Sequence, residues 1–582
     1  MDHPQQSTRG ACVAITGSGG SGAVTAGLIL LAAVAKAGHY GLLARSAGPQ
    51  IRGGESAAMV RFGPRPVACM GDRFDLLVGL DWNNVQRFVD ELPLDGQSLI
   101  LTDRLGGEVP GELTRTGAAV RTLSLKEIVD TIAGGRLNMA ALGTLGALVG
   151  LPLAALEAGA RSVIGTKGGT VLEGSLACIQ AGYRTALDLG LGAAPREGVG
   201  PATRPAPSTE RWNISGNEAA GLGALRGGVR FVAAYPITPA SEMLEWLAPR
   251  LELVGGSLLQ AEDELASVNM VIGASFGGVP ALTATSGPGL SLMMEGLGLA
   301  VASETPVVVT NVQRGGPSTG IPTKSEQSDL NIALYGFHGD APHLVLAPLS
   351  IPDCAFTLQW AVRLAEHLQA TAIVLSDQSL GQSRAIVDPP ARFEGTLERQ
   401  VEPRPTTDYR RYAITPNGIS PMTLPGTAGG MYAADGLEHG PKGIPSSMAR
   451  DHNAQLTKRL RKLLDFDYGP HWGELRGSGP TCLLTWGSSA GAVLEAAERL
   501  SAAGLPTRAV VLRLIAPLPR RDLAQALAGC ESILVVEQNQ GGQLFHYLHA
   551  EQALPAWARS LARPGPLPLR PGEIVQACRE GN

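Results

Sequence analysis

Cysteine, aromatic residues and charge are all scarce in this chain. Seven cysteines occur in 582 residues, and the nearest of them, Cys482, Cys530 and Cys578, stand 48 positions apart. With no CxxC or CxxxC, the sequence contains no recognisable iron–sulfur or structural zinc motif. An odd, scattered set also fits a reducing compartment better than a disulfide framework. Charged residues make up 17% and aromatic residues 4%, which excludes a charged helical rod, while an apolar content of 44% excludes a disordered chain. Lys and Arg number 47 against 52 Asp and Glu, a net charge of -5, so nothing favours a nucleic-acid partner. Long apolar runs are missing as well. The best candidate, AVTAGLILLAAVAKAG, is short and interrupted by Lys36, which is too weak for a membrane span. The opening MDHPQQSTRG has no basic-then-apolar signal pattern, and these features together point to the cytoplasm. No HExxH, GxSxG or GxxxxGK[ST] occurs, and His546 and His549 share a helical face without a Cys or carboxylate partner, which reads as surface.

Glycine (75) and proline (41) are plentiful without a Gly-X-Y period, which indicates many tight turns and close backbone approaches. The length suits three full α/β domains or about four smaller units. Strand-like and helical runs alternate through most of the chain, the pattern of mostly parallel sheets covered on both faces. The reading gives an α/β domain over 1–196, a Pro/Ala/Gly/Ser-rich linker over 197–210, and a second α/β domain over 211–395. An irregular region follows over 396–479, with one basic helix at AQLTKRLRKLLD, and a small doubly wound domain occupies 480–582.

Several turns carry chemistry-bearing residues. GSGGSG, with Gly17, Gly19, Gly20 and Gly22, lies between a strand and a helix. Backbone amides there suit a nicotinamide or flavin nucleotide, another phosphate-bearing ligand, or simply a structural turn. No acid closes the following strand to hold an adenosine ribose, and the loop after it offers Arg52 as an anion contact. YPITP (Tyr235, Pro236, Ile237, Thr238, Pro239) at a strand end is a stiff turn that also presents the Thr238 hydroxyl. Glu262, Asp263 and Glu264 open a helix of small and apolar residues. They serve helix initiation, or one of them acquires the raised pKa of a proton-relay group. TSGPG leaves the backbone of Ser286, Gly287 and Gly289 open to a bound ring. Arg314, in a glycine-rich loop after the strand VVVTNV, is placed to pair bidentately with a carboxylate, and Lys324 in the same loop either pairs with a second carboxylate or is solvated.

In this order, YPITP, ELASVNMVIGAS, TATSGPGLSLM, NVQRGGPSTGIPT and SEQSDL resemble the alpha subunit of the thiamine-diphosphate-dependent 2-oxoacid:ferredoxin oxidoreductases. The Gly17–Gly54 region resembles their gamma subunit, fused at the N-terminus. LTWGSSAGAVLEAAERL, LRLIAPLP and VVEQNQGGQL resemble their transketolase C-terminal-like domain, and GISPMTLPG with DGLEHGPKG resembles the connecting region of the 2-oxoglutarate branch. The resemblance implies three main α/β domains: a gamma-type domain, a pyrimidine-binding domain and the C-terminal-like domain. It implies Glu264 as the catalytic acid against the cofactor pyrimidine. Thr238, Arg314 and Lys324 would bind substrate, and Tyr235, Pro236, Ile237, Ser286 and Gly287 would line the cofactor. Gly17, Gly19, Gly20, Gly22 and Arg52 would be coenzyme A candidates, with no metal ligand on this chain.

The sequence has no GDG followed by Asn at the spacing that holds Mg2+ and diphosphate. The resemblance assigns those, and at least one [4Fe-4S] cluster, to a beta subunit that shares the thiamine diphosphate. Coenzyme A and ferredoxin would be the other partners, in a dimer of gamma-alpha/beta heterodimers. The implied reaction turns 2-oxoglutarate, coenzyme A and oxidised ferredoxin into succinyl-coenzyme A, carbon dioxide and reduced ferredoxin. Alternatives are an indolepyruvate or branched-chain 2-oxoacid subunit, and a noncatalytic or sulfonate-decarboxylating thiamine-fold subunit. Two departures fall in the gamma-like region: GGSGAV stands where the family often has Gln, and AGPQIRGG where a Tyr-Gly-Pro-Glu pattern is common.

Overall fold

A computed structural model describes residues 10–47, 54–190, 210–321 and 324–580. The chain forms two compact units. One comprises the N-terminal part through Ser215 with 382–389 and 570–572, the other comprises 216–381, 390–569 and the C-terminal residues from Glu573. Among the described residues no helix is long and apolar enough to cross a membrane.

The first unit is built on an eight-stranded sheet. Ala11–Ser18, Leu76–Gly79, Leu99–Asp103 and Ala119–Leu123 run parallel, as alternating strands and helices require. The other half is antiparallel, which departs from the mostly parallel sheet read from the sequence. Glu55–Gly63 pairs antiparallel with both Ala11–Ser18 and Tyr40–Ala47. Only seven residues separate Tyr40–Ala47 from Glu55–Gly63, fewer than the dozen or so that a parallel crossover needs, so the second strand returns antiparallel. Arg384–Val387 then pairs with Tyr40–Ala47 and with Trp212–Ser215, closing the sheet with strands from distant sequence. The helix Ala23–Lys36 buries Ile29, Leu30, Leu31, Ala33 and Val34 against the sheet core of Val13, Ile15, Leu43, Ala58 and Val60. Close packing explains its Gly27, where a Cβ would stand 2.4 Å from that of Ala58.

Two sheets make up the second unit. The seven-stranded one has its central strands Phe231–Ala234, Ala281–Thr285, Val307–Gln313 and Thr371–Asp377 all parallel. Their near-continuous Val, Ala, Leu and Thr content suits a sheet covered on both faces. The five-stranded sheet is parallel over Thr507–Leu512, Thr481–Trp486, Ser532–Glu537 and Arg559–Ala562, with Gly473–Gly477 antiparallel at one edge. Leu514–Ala516 leaves the second sheet's neighbourhood to pair with Leu344–Leu346 of the first.

The irregular stretch between the two sheets is fixed by charge rather than by periodicity. The basic helix Ala449–Leu464 sends Lys458 and Lys462 onto Glu304, with Nζ to carboxylate distances of 2.5 and 2.8 Å and both ends of each pair buried. Arg411, fully buried, donates to the carbonyls of Ser303, Glu304 and Ser420. Burial pushes Lys462 down to about 8. The two ammonium groups hold Glu304 well below the usual carboxylate range despite its burial.

Candidate active site

Open α/β sheets bind ligands beyond the carboxyl ends of their parallel strands, and in the second unit the singled-out residues gather there. After Phe231–Ala234 the YPITP turn leads into the helix Ser241–Leu253. Asn217 Nδ2 donates to the Pro239 carbonyl (3.0 Å), and Arg314 Nη1 donates to the Thr238 carbonyl (3.0 Å). Tyr235, Pro236 and Thr238 stay exposed and Ile237 half-buried, so the turn is pinned by its backbone while its side chains face outward.

Of the three clustered acids the structure singles out one. Asp263 caps the helix Glu264–Phe276 by accepting from Ala266 N at 2.7 Å, the role ordinary for an acid there. Glu262 is exposed, whereas Glu264, the first helical residue, is buried. Its carboxylate lies against the TSGPG turn: a Cβ at Gly289 would come within 2.5 Å of Glu264 Oε1 and 2.0 Å of Thr285 Oγ1. Only glycine fits there. Ser286 stands at the N-cap of the helix Gly287–Ala302 that this turn begins, with no capping bond from its side chain.

A second carboxylate, which the sequence reading passed over, approaches the same turn from the other side. A Cβ at Gly287 would stand 2.7 Å from Asp329 Oδ1. Gly287 and Gly289 are about 5.4 Å apart on a helix, so two acids flank one helical turn. Asp329 accepts from Asn311 Nδ2 at 2.9 Å, and its amide donates to Gln313 Oε1 at 3.0 Å. Burial pushes its carboxyl up to about 6, opposed by the Asn311 hydrogen bond and by Arg314. Arg314 is half-buried, and its burial lowers its pKa while Asp329 raises it. The available signal was position: Asp329 is the last acid of the quoted SEQSDL motif, immediately before the helix Leu330–Tyr335.

Polar atoms converge here without partners. Ser286 Oγ, Asn311 Oδ1, Arg314 Nε and Ser328 Oγ are buried and make no hydrogen bond. Native interiors seldom leave such atoms unsatisfied, and a cluster of them marks a place for a ligand or water. Lys324, half-buried, belongs to the same loop, its carbonyl accepting from Gly315 N. Three residues on, Gln327 joins the two sheets of this unit. Its Oε1 accepts from Ser489 Oγ and Gln538 N, and its Nε2 donates to the Trp486 carbonyl. The VVEQNQGG segment is thereby held against SEQSDL. Glu537 at its centre accepts from Leu544 N and Phe545 N at a helix start.

In the first unit, Gly19, Gly20 and Gly22 line a cavity of about 670 Å3 together with Ser21, Arg136 and Lys167. Gly17 does not line it; its Cα faces Ser21 and Asp81. Asp81 takes the Ser18 amide at 3.0 Å, and Gly54 O takes the Gly19 amide at 2.6 Å. The Gly20 and Gly22 amides, which make no hydrogen bond among the described residues, and the first amides of the helix Ala23–Lys36 are the donors left for an anion. At φ 86° Gly22 is in the left-handed region, and a Cβ there would strike Asn138. Arg136 and Lys167 are exposed and form no ion pair among the described residues. Arg52 lies outside the described residues. Among those described, no group of three or more His, Cys, Asp or Glu converges as metal ligands would.

A glycine turn closed to any side chain, flanked by carboxylates at the ends of parallel strands, is the layout of an α/β cofactor enzyme, and comparison with known proteins gives its class. Residues 222–458 match the family described as "Pyruvate flavodoxin/ferredoxin oxidoreductase, thiamine diP-bdg", and residues 12–185 match "Pyruvate ferredoxin/flavodoxin oxidoreductase". The 2-oxoacid:ferredoxin oxidoreductase subunit alpha of Saccharolobus solfataricus is 37% identical over 357 residues, 57% of this chain and 56% of that protein, so the match spans little more than half of that relative. The 2-oxoglutarate synthase subunit KorA of Methanothermobacter marburgensis is 34% identical over 63% of this chain and 98% of its own length. The structure of the 2-oxoglutarate:ferredoxin oxidoreductase from Magnetococcus marinus, with 2-oxoglutarate, coenzyme A and succinyl-CoA bound, superposes with a TM-score of 0.90 at 35% identity, covering 98% of this chain and 99% of that one. The chain belongs to the alpha-subunit family of the 2-oxoacid:ferredoxin oxidoreductases, and matches its 2-oxoglutarate synthase branch closely. Its fold joins a gamma-type domain to a pyrimidine-binding domain and a transketolase-like C-terminal domain.

Proposed function

We propose that this chain is the fused gamma-alpha subunit of a thiamine-diphosphate-dependent enzyme that converts 2-oxoglutarate, coenzyme A and oxidised ferredoxin to succinyl-coenzyme A, carbon dioxide and reduced ferredoxin. The observation that carries this reading is the end-to-end likeness, at 35% identity, to an enzyme solved with 2-oxoglutarate, coenzyme A and succinyl-CoA bound. The residues present fit the pyrimidine end of the cofactor. Glu264 packs against Gly289 in the space a Cβ would take, and Ser286 Oγ is an orphaned buried hydroxyl in the same turn. When bound, the cofactor supplies the electron sink that decarboxylation of a 2-oxoacid needs.

In this reading Glu264 holds a proton against the pyrimidine ring, buried where water does not compete. Tyr235, Pro236, Ile237, Ser286 and Gly287 line the ring. Thr238 and Arg314 orient the carboxylate of the 2-oxoacid, with the guanidinium aimed by its bond to the Thr238 carbonyl, and Lys324 meets the second carboxylate. Coenzyme A occupies the glycine-loop cavity through Gly19, Gly20 and Gly22, with Gly17 shaping the loop and Arg52 as a further anion contact. The domain limits proposed for these parts are 1–196, 211–395 and 480–582. A beta subunit provides the diphosphate and Mg2+ site and the [4Fe-4S] cluster, ferredoxin takes the electrons, and two heterodimers pair in the cytoplasm.

Steady-state reduction of ferredoxin by the purified complex, with coenzyme A and a panel of 2-oxoacids, tests the substrate. The kcat/KM for 2-oxoglutarate should exceed that for pyruvate, indolepyruvate and branched-chain 2-oxoacids at least tenfold. Strong turnover of an aryl pyruvate with none of 2-oxoglutarate would overturn the assignment.

A further inference from the structure

We infer that Asn217 is a positioning residue for the substrate: by holding the Pro239 carbonyl it fixes the YPITP turn, and so sets where the Thr238 hydroxyl meets the carboxylate of the 2-oxoacid. The inference rests on the substrate reading given above. Thr238 is exposed, as are Tyr235 and Pro236, so packing of the threonine side chain does not hold its hydroxyl in place. The backbone does. Two successive carbonyls of the turn are each taken by one side-chain donor, Thr238 O by Arg314 Nη1 and Pro239 O by Asn217 Nδ2, both at 3.0 Å. Beyond them the chain is already coiling, with Ala240 N and Ser241 N donating to the Ile237 carbonyl at 2.8 and 3.1 Å. In the substrate reading Arg314 is itself a ligand group. Asn217, 1% exposed, has both ends of its amide taken up by protein. Pro239 O only accepts, so the nitrogen must face it, and Oδ1 turns to Gly381, where a Cβ would stand 2.8 Å away.

The same Cβ at Gly381 would stand 3.1 Å from Val312 Cγ1, two residues before Arg314. Both clamps on the turn therefore spring from one packed block, formed by the start of the helix Gly216–Gly227, the end of the Val307–Gln313 strand and Gly381. That block is rigid. A Cβ at Gly216 would come within 2.2 Å of Leu380 O and one at Gly223 within 2.3 Å of Ala355 O, so the helix lies with its backbone directly on its neighbours. Gln313 Nε2 ties the strand end to Ser376 O at 3.0 Å. Truncating Asn217 takes the side-chain donor from the carbonyl of a buried proline. An acceptor left unpaired inside the protein is more costly than the bond it made, so the turn shifts until Pro239 O finds another donor, and Thr238, the preceding residue, shifts with it. The arginine clamp moves too, since its acceptor is the Thr238 carbonyl. Asn217 thus acts on the substrate only through the residue it aims.

The test is a double-mutant cycle on the purified complex with its cofactor, reading kcat and KM for 2-oxoglutarate, thiamine diphosphate occupancy and the midpoint of thermal unfolding in Asn217→Ala, Thr238→Val and the pair. Thr238→Val, which keeps the shape and loses the hydroxyl, should raise KM by itself. Asn217→Ala should raise KM roughly three- to tenfold, the worth of one hydrogen bond, with kcat held within about twofold and full occupancy. In Thr238→Val the same substitution should move KM by less than about twofold, because the hydroxyl it aims is gone. Gly381→Ala presses on the amide from its other end while leaving the asparagine in place; where Asn217→Ala fails to assemble it decides the matter, KM rising in the parent and not in Thr238→Val. An unmoved KM in the variant that assembles, or a rise by the same factor in Thr238→Val, would overturn the inference and leave the substrate reading standing. A Thr238→Val complex with the parental KM would overturn the substrate role of Thr238, and the inference with it.

Discussion

Replacing Glu304 by glutamine keeps the size and an acceptor oxygen at the junction of the basic helix but leaves Lys458, Lys462 and Arg411 without their counter-charge. Both lysine ammonium groups lie within 2.8 Å of the Glu304 carboxylate, and all are buried. Removing one partner of a buried pair costs about 3–5 kcal/mol. The structure also sets a ceiling. Lys462 can shed its proton instead, and from an ordinary value of 10.5 neutralising it at pH 7 costs roughly 1.4 kcal/mol per unit, about 5 kcal/mol in all. The sign of the pH dependence follows. In the parent Lys462 titrates at about 8 in the folded state, so below pH 8 folded and unfolded chains hold that proton alike. In E304Q the folded value drops further, the unfolded chain holds more protons, and stability rises with pH from below 7. The deficit should therefore shrink by about 1.4 kcal/mol between pH 7 and pH 8 and level off above. On the acid side the depressed Glu304 stabilises the parent above the ordinary carboxylate value and loses that contribution as pH falls below it, which closes the deficit again. Scanning calorimetry of the full chain should show the transition of the second unit lowered by roughly 4–8 °C at pH 7. Lys462→Met, which leaves Glu304 paired with Lys458, should lose less. A shift under about 1 °C, or a deficit that does not change with pH, would refute the reasoning.

Two further tests address the sites. In Glu264→Gln, exchange of the C2 proton of bound thiamine diphosphate should slow by about 100- to 10,000-fold with cofactor occupancy and complex mass unchanged, while Glu262→Gln, at an exposed position, should match the parent; exchange at the parental rate in Glu264→Gln would remove Glu264 from the proposed role. Replacing Arg136 or Lys167 with alanine should raise the KM for coenzyme A roughly five- to twentyfold, as expected for loss of one exposed charge-assisted contact, with the KM for the 2-oxoacid unmoved, and an unchanged coenzyme A KM would exclude that cavity.

The parallel cores were legible because each strand is a compact apolar run followed by a helix: Ala281–Thr285 before the Gly287 helix, Val307–Gln313 before the glycine loop. Glu55–Gly63 was not, since ESAAMVRFG packs small side chains against neighbours the sequence does not announce. The site was half legible. Glycine turns and clustered acids stand out as local patterns, but a choice among Glu262, Asp263 and Glu264 made on residues alone cannot see which carboxylate is buried. Asp329 escaped for the opposite reason. Its setting comes from Gly287, Asn311 and Arg314, which lie from 15 to 42 positions away along the chain, and a lone Asp before a short helix looks like an ordinary cap.

The eight-stranded sheet of the first unit ends in Arg384–Val387 and Trp212–Ser215, neither of which belongs to the contiguous run before residue 191. A fragment severed between 190 and 210 would thus keep its own helices and six strands but lose its selvage: the backbone donors and acceptors of Tyr40–Ala47 on that side would face water. Such bare margins recruit whatever strand is at hand. The apparent linker is therefore not a seam along which the two parts of this chain can be parted cleanly.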